Sequence, residues 1–329
     1  MSRIVVLGSG AWGTAIALSL YRRGGHHVTL WSHSADEARQ IIAAEENILF
    51  LPGFPIPSEI AVTADTAFVS DADIVVSVIP SEFLRPTIAR IRPYLHEGQI
   101  IVSATKGIEQ PSLLRMSQVI ASLTPNPCAV LSGPSFAAEV AAGIPTALVA
   151  AASDPIVTGA IQREFSSPTL RLYTNDDLTG VELGGALKNV IALAAGVVHG
   201  LNLGHNAAAA LITRGIAEIT RLAVACGARP KTLSGLSGLG DLVLTCTGSL
   251  SRNRTVGAEL GRGRHLPEIL KGLNGKVAEG IRSTTAALGL AARYSVEMPI
   301  TEQMDAVLHH NKSPKNAIRD LMSRPGRDE

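Results

Sequence analysis

The segment IVVLGSGAWGTA, residues 4–15, constrains the fold more than any other stretch of the chain. Ile4 to Leu7 read as a short buried strand, and Gly8-x-Gly10-x-x-Gly13 follows at once, opening a helix-forming run. A first glycine in this spacing permits a tight turn. The second lets a pyrophosphate approach the backbone, and the third lets the helix pack close to the strand, with the phosphates at its positive end. The spacing alone is weak evidence. Set between a strand and a helix, with a second strand ending near Trp31, it predicts a dinucleotide site that uses Gly8, Gly10 and Gly13.

In such units an acid about 20 residues further on binds the ribose hydroxyls of NAD. Here the second strand ends in Trp31-Ser32-His33, and no acid follows until Asp36. Nothing at the strand end repels a 2′-phosphate, and His33 has a ring N–H to give it. The expectation is therefore NADPH, with NADH tolerated. A His33 that is only a surface residue fits the same stretch.

The first half of the chain alternates strand and helix. Candidate strands are Ile4–Leu7, His27–Trp31, Ile74–Val78, Ile100–Ser103, Ala129–Leu131, Thr146–Ala150 and a last one at Leu170–Tyr173. Strand–helix alternation indicates a parallel sheet covered on both faces. From about Asp177 the periodicity is helical throughout, with glycine punctuation. The predicted fold is α/β: a Rossmann-like doubly wound sheet over 1–176, then an all-α domain over 177–329. A ligand cleft is expected where the two meet.

Composition narrows the function classes. The chain has 329 residues, 46% hydrophobic and 17% charged, with a net charge of +1, so no bias favours nucleic acid or membrane surfaces. Aromatics at 4% argue against base stacking. Three scattered cysteines, Cys128, Cys226 and Cys246, fit reduced thiols in the cytoplasm. The N-terminus has a signal-like apolar run, but glycines break it and YRRGGHH follows instead of a cleavage site. No later segment is expected to reach the uninterrupted apolar length that a membrane span needs. Nor do the nine histidines cluster with carboxylates or cysteines at metal-ligand spacing.

One lysine stands out. In ELGGALKNVIALAAG, residues 182–196, Leu183, Leu187, Val190, Ile191 and Ala194 form an apolar stripe, while Gly184, Gly185, Ala192, Ala195 and Gly196 surround Lys188. Small residues let a neighbour or a ligand come close, so Lys188 is expected to be half buried. Three further stretches are polar and glycine-rich. They place Lys106 in SATKGIE, Gly133 and Ser135 in LSGPSFAAEV, and Asp241 with Ser251-Arg252-Asn253-Arg254 in GLSGLGDLVLTCTGSLSRNR. Each has a plain structural alternative: Asp241 as a helix cap, the arginines as a solvated face, Lys106 as a surface residue. Together with a dinucleotide site they describe a pocket for a small phosphorylated molecule, because guanidinium binds two phosphate oxygens at once. Hydride reduction of a ketone needs a proton donor at the carbonyl oxygen and stabilisation of the developing alkoxide, and a lysine ammonium supplies both. Desolvation would lower its pKa toward neutrality, and Asp241 would orient it and limit that drop.

These motifs, with NILFLPG, VIPS and ALITRGIAEI, make the whole chain resemble the bacterial NAD(P)-dependent glycerol-3-phosphate dehydrogenases. The resemblance implies an oxidoreductase that reduces dihydroxyacetone phosphate to sn-glycerol 3-phosphate, the backbone precursor of phospholipids, as a cytoplasmic homodimer. It implies NADP(H) or NAD(H) as cofactor, with Trp12, His33, Lys106, Ala137, Arg252, Val277 and Glu279 lining its site. It further implies Lys188 as catalytic acid/base beside Asp241, and Lys106, Gly133, Ser135, Ser251, Arg252 and Asn253 around the substrate. Ala11 stands where some relatives carry a hydroxyl or amide, and His33 where many carry arginine. Two other readings remain open on the residues: a hydroxyacid dehydrogenase of similar build, and a nucleotide sensor without turnover.

Overall fold

A computed structural model describes residues 1–272 and 278–326. The chain divides into two compact units, Met1–Glu109 with Leu114–Glu182, and Gln110–Leu113 with Leu183–Glu329.

The first unit is built on one eight-stranded sheet: β1 (Ser2–Leu7), β2 (His26–Trp31), β3 (Ala61–Thr63), β4 (Ile74–Ser77), β5 (Ile100–Ser103), β6 (Cys128–Ser132), β7 (Thr146–Ala151) and β8 (Leu170–Asn175). The strand order is β3-β2-β1-β4-β5-β6-β7-β8. Helices α1 (Ala11–Arg23), α2 (Ala35–Ala44), α3 (Ser81–Ile91), α4 (Met116–Ala121), α5 (Ala137–Ala141) and α6 (Pro155–Phe165) connect the strands. In β1 the pleat sends alternate residues to opposite faces. Ile4 and Val6 join one apolar core with Ala15, Ile16 and Leu20 of α1, whereas Val5 and Leu7 join a second with Leu84, Ile88 and Ile120. This explains an unbroken apolar run: both faces of the strand are covered. Each such side chain contributes about 1.5–3 kcal/mol through burial.

The sheet departs from the expected one in two places. Strand β3, three residues long, has no counterpart among the candidate strands. And β6 pairs with β7 antiparallel, whereas the pairings of β1 with β2 and β4, of β4 with β5, and of β5 with β6 are parallel. The connection between these two strands holds only the five-residue helix α5, which rises about 7 Å, so no long crossover helix covers the sheet here.

Among the described residues the second unit contains helices and no strand. They are α7 (Leu178–Gly200, whose first turns belong to the first unit), α8 (Gly204–Ala225), α9 (Pro230–Leu233), α10 (Asp241–Thr247), α11 (Arg252–Gly261), α12 (Leu266–Lys271), α13 (Glu279–Tyr294), α14 (Pro299–His309) and α15 (Pro314–Met322). Helix α7 is buried on every side from Val181 to Val198, not along a single stripe. Contrary to the sequence expectation, it is long and apolar enough to cross a membrane by length and composition. Its most apolar stretch is nevertheless 94% buried inside the protein, as befits the core helix of a helical unit.

Candidate active site

The residues singled out in the sequence fall into two groups, one in each unit. In the first unit, strands β1, β2, β5 and β6 run parallel and end on one edge of the sheet. That edge carries Gly8–Gly13 after β1, His33 after β2, Lys106 after β5, and Gly133, Ser135 and Ala137 after β6. Ligands of open α/β sheets bind at this edge.

The glycine loop has the shape a dinucleotide needs. Gly8 has φ +117°, and a Cβ there would lie 2.7 Å from the Val78 carbonyl oxygen. A Cβ on Gly13 would lie 1.9 Å from the Gly8 oxygen, so α1 packs against β1 only with glycine at this position. At Gly10, by contrast, a side chain would project into open space with nothing within 4 Å. The N-terminus of α1 begins here with no side-chain cap. Open room over uncapped helix N–H groups is what a pyrophosphate requires, and the chain fits an NAD(P) cofactor. Trp12 beside it is partly buried, and its indole N–H has no hydrogen-bond partner among the described residues.

The end of β2 differs from the sequence expectation. Asp36 is exposed and paired with Arg39. It is Glu37 that turns back. Its Oε2 accepts from the Ser32 hydroxyl and lies 3.1 Å from the Ser9 hydroxyl inside the glycine loop. The His33 ring is mostly exposed, with Nδ1 3.5 Å from the same oxygen. An acid therefore stands at the strand end after all, supplied from α2. The signal was Ser34-x-x-Glu37: Ser34 caps α2 by accepting from the Glu37 N–H at 3.3 Å, which puts Glu37 in the first turn.

Lys106 is partly buried and precedes Gly107, which has φ +139°. Gly133 follows β6 with φ +137°, and the Ser135 hydroxyl donates to its carbonyl at 3.0 Å. Ala137 opens α5.

The second unit brings Lys188 and Asp241 together. Both are buried, 6% and 1% exposed, and the ammonium pairs with Asp241 Oδ1. The structure adds a third member absent from the sequence expectations: Thr245 Oγ1 accepts from Lys188 Nζ at 2.9 Å and donates to the Asp241 carbonyl at 2.6 Å. Asp-x-x-x-Thr on one helix face is the signal that would have found it. Cys246, next along α10, is pushed up to about 12 by burial and stays a neutral thiol, so it is no nucleophile. Asn189 is a further polar residue beside Lys188. It accepts from Asn253 Nδ2 at 3.0 Å and donates weakly to Glu279 at 3.4 Å. Asn253 Oδ1 accepts from the Gly280 N–H at 3.0 Å, so the Asn253 amide joins α7, α11 and the start of α13. Ser251 caps α11 through the Arg254 N–H at 3.2 Å, and Arg252 is exposed on its first turn. Val277 lies outside the described residues. The glycines near Lys188 seat backbone: a Cβ on Gly184 would meet the Ser237 oxygen at 2.6 Å, and one on Gly196 the Arg254 oxygen at 2.1 Å.

Comparison with known proteins gives one consistent result. Residues 3–157 match the family described as NAD-dependent glycerol-3-phosphate dehydrogenase N-terminus, and residues 177–319 the corresponding C-terminus. The glycerol-3-phosphate dehydrogenase [NAD(P)+] of Acidobacterium capsulatum is 61% identical, with all of both chains covered. That of Koribacter versatilis is 56% identical over 100% of this chain and 99% of its own. The crystal structure of glycerol-3-phosphate dehydrogenase from Coxiella burnetii superposes with a TM-score of 0.94 at 39% identity, covering 98% of this chain and 99% of that one. The chain is thus an NAD(P)-dependent oxidoreductase and belongs to the NAD-dependent glycerol-3-phosphate dehydrogenase family.

Proposed function

We propose that this chain reduces dihydroxyacetone phosphate to sn-glycerol 3-phosphate, a phospholipid precursor, with Lys188 as the proton donor. The observation that carries this assignment is a buried ammonium held between a carboxylate and a hydroxyl. NAD(P)H, when bound, supplies the hydride. Gly8, Gly10, Ala11, Trp12 and Gly13 hold the dinucleotide, with His33, Lys106 and Ala137 along the same sheet edge and with Arg252 and Glu279. Asp241 pairs with the Lys188 ammonium and aims it, and Thr245 fixes the direction of its N–H groups. As negative charge grows on the substrate oxygen, the Lys188 ammonium stabilises it and gives up one proton. The lysine then recovers a proton from solvent. The substrate phosphate pairs with Arg252 at the start of α11, where the helix dipole also favours an anion. Lys106, Gly133, Ser135, Ser251 and Asn253 complete its surroundings, Asn253 through its hold on Asn189. In this division of labour 1–176 binds the dinucleotide and 177–329 carries the proton donor. The enzyme acts in the cytoplasm as a homodimer, a stoichiometry that light scattering of the purified chain tests directly.

The test is the initial rate of NADPH and NADH oxidation with dihydroxyacetone phosphate and with unphosphorylated dihydroxyacetone. Rapid oxidation is expected only with the phosphorylated ketone. Lys188→Ala should lower kcat by about 10²–10⁴-fold or more while the folded variant still binds cofactor. Loss of cofactor binding with an intact fold would count against the proton-donor role. Arg252→Ala should raise KM for the phosphorylated ketone much more than for the unphosphorylated one, and equal effects would remove the phosphate assignment.

A further inference from the structure

We propose that Glu37 sets this chain's choice of dinucleotide and makes NADH the preferred one, through a carboxylate that faces the adenosine ribose position. The inference rests on the dinucleotide site at the glycine loop. Gly8 and Trp31, the ends of the two strands that border the adenosine half of such a site, are joined by a backbone hydrogen bond of 2.9 Å. Glu37 reaches over this junction from α2. One of its oxygens, Oε2, takes the Ser32 hydroxyl and faces the Ser9 hydroxyl and the His33 ring. Oε1 makes no hydrogen bond among the described residues. The side chain is 17% exposed, so it is held by its neighbours and still reaches solvent.

A ribose 2′-hydroxyl is a donor, and a held carboxylate oxygen accepts from it without losing the Ser32 bond. A 2′-phosphate offers only acceptors and carries negative charge. Placed against Glu37 it meets like charge in a partly water-excluded corner. His33 does not reverse the balance. Its ring is 77% exposed, and its partner at the loop is Glu37 itself. The two serines could donate to a phosphate, but the Ser32 hydroxyl already serves Glu37. Removing the charge of Glu37 therefore ends the repulsion, and removing the whole carboxylate also frees the Ser32 hydroxyl for an anion.

Equilibrium binding decides the matter without turnover. Titrations of NADH and NADPH into the full-length protein, followed by cofactor fluorescence, give the two Kd values. The wild-type chain is expected to bind NADH more tightly. Glu37→Gln should shift the ratio of the two Kd values by about tenfold or more toward NADPH, mostly by tightening NADPH. Glu37→Ala should shift it the same way, and a thermal melt confirms that each variant is folded. A wild-type preference for NADPH overturns the proposal, as does a ratio that stays within twofold in both folded variants. If the wild-type protein binds neither dinucleotide, the cofactor site itself is misassigned, and the proposal falls with it.

Discussion

Helices α7 and α11 meet backbone to backbone, and substituting Gly257 probes that contact. A Cβ at Gly257 would lie 1.9 Å from the Leu193 carbonyl oxygen and 3.0 Å from the Gly196 Cα. Ordinary contact begins near 3.4 Å, so Gly257→Ala must part the helices locally by about 1.5 Å in an interior with no slack. Overpacking side chains costs about 1–3 kcal/mol. Here both sides of the clash are main chain and neither can rotate away, so the cost is set at the top of that range or beyond. Alanine regains about 1 kcal/mol of helix propensity over glycine, leaving a net loss of about 2–3 kcal/mol. For a unit of this size each kcal/mol moves the midpoint by about 2–4 °C, so Tm should fall by about 5–10 °C. The 3.0 Å bond from Asn253 to Asn189, next to Lys188, spans the same contact, and kcat should fall with it. Differential scanning calorimetry is the assay, with separate transitions fitted because two units need not melt together. Gly159→Ala on α6 is the control. Nothing lies within 4 Å of its added Cβ, and it should raise Tm by about 2–4 °C through propensity alone. A Gly257→Ala protein that melts at or above wild type would refute the close-packing argument.

Two further outcomes follow from buried ionisable groups. Glu218 caps α14 from α8, accepting from the N–H groups of Ile300 and Thr301 at 2.9 Å each and from the Thr301 hydroxyl at 2.7 Å. Glu218→Ala leaves those buried donors unsatisfied and should cost about 2–4 kcal/mol, with hydrogen exchange rising first at the N-terminus of α14. His26 is held below its ordinary 6.5 chiefly by burial, aided by the Arg23 guanidinium and opposed by Glu164. Its native state thus favours the neutral ring. The stability this gives is present above pH 6.5 and is lost as pH falls through the lowered value. The Tm of the wild-type chain should therefore drop on acidification from pH 7.5 to 5, and His26→Gln should flatten that slope. An unchanged slope would show that His26 is not the titrating group.

What the sequence discloses depends on how local the cause is. The glycine loop is legible because strand, turn and helix lie within a dozen residues and each glycine answers a contact nearby. The direction of β7 is not, because it depends on how the whole connection from β6 folds, and LSGPSFAAEV reads equally well as the start of a longer helix. Glu37 is hard to read from the sequence for a related reason. The motif calls for an acid at the end of the strand, whereas the carboxylate arrives from the next helix once Ser34 has fixed that helix's first turn. The sequence pairs Lys188 with Asp241 on chemistry and resemblance alone, since 53 residues separate them; the packing of α7 against the segment before α10 is what brings them into contact. Asn253 shows the opposite limit. Its residue type suits phosphate binding, yet its amide is engaged with Asn189 and Gly280.

Of the two roles their sequence invites for the small residues around Lys188, room for a neighbour or for a ligand, the structure shows glycines that seat a neighbour. Gly184, Lys188, Ala192, Gly196 and Gly200 are spaced by four along α7, which places them on one ridge of the helix. At one end Gly184 receives the turn Leu236–Gly240, which leads directly into Asp241. At the other end Gly196 and Gly200 receive α11, whose Asn253 reaches Asn189. Lys188 is the large residue within this row, and the backbones pressed onto the glycines on either side determine what surrounds it. The room made by the glycines is thus filled by protein, and the protein that fills it delivers the lysine's partners. Burying such a pair gives the fold little, since desolvation offsets most of the attraction and apolar residues of the same volume would serve stability as well. What the arrangement does give, on the proposed role of Lys188, is a proton donor whose direction is set from two sides. A reaction that must deliver a proton to one oxygen needs that, and a packed helix does not.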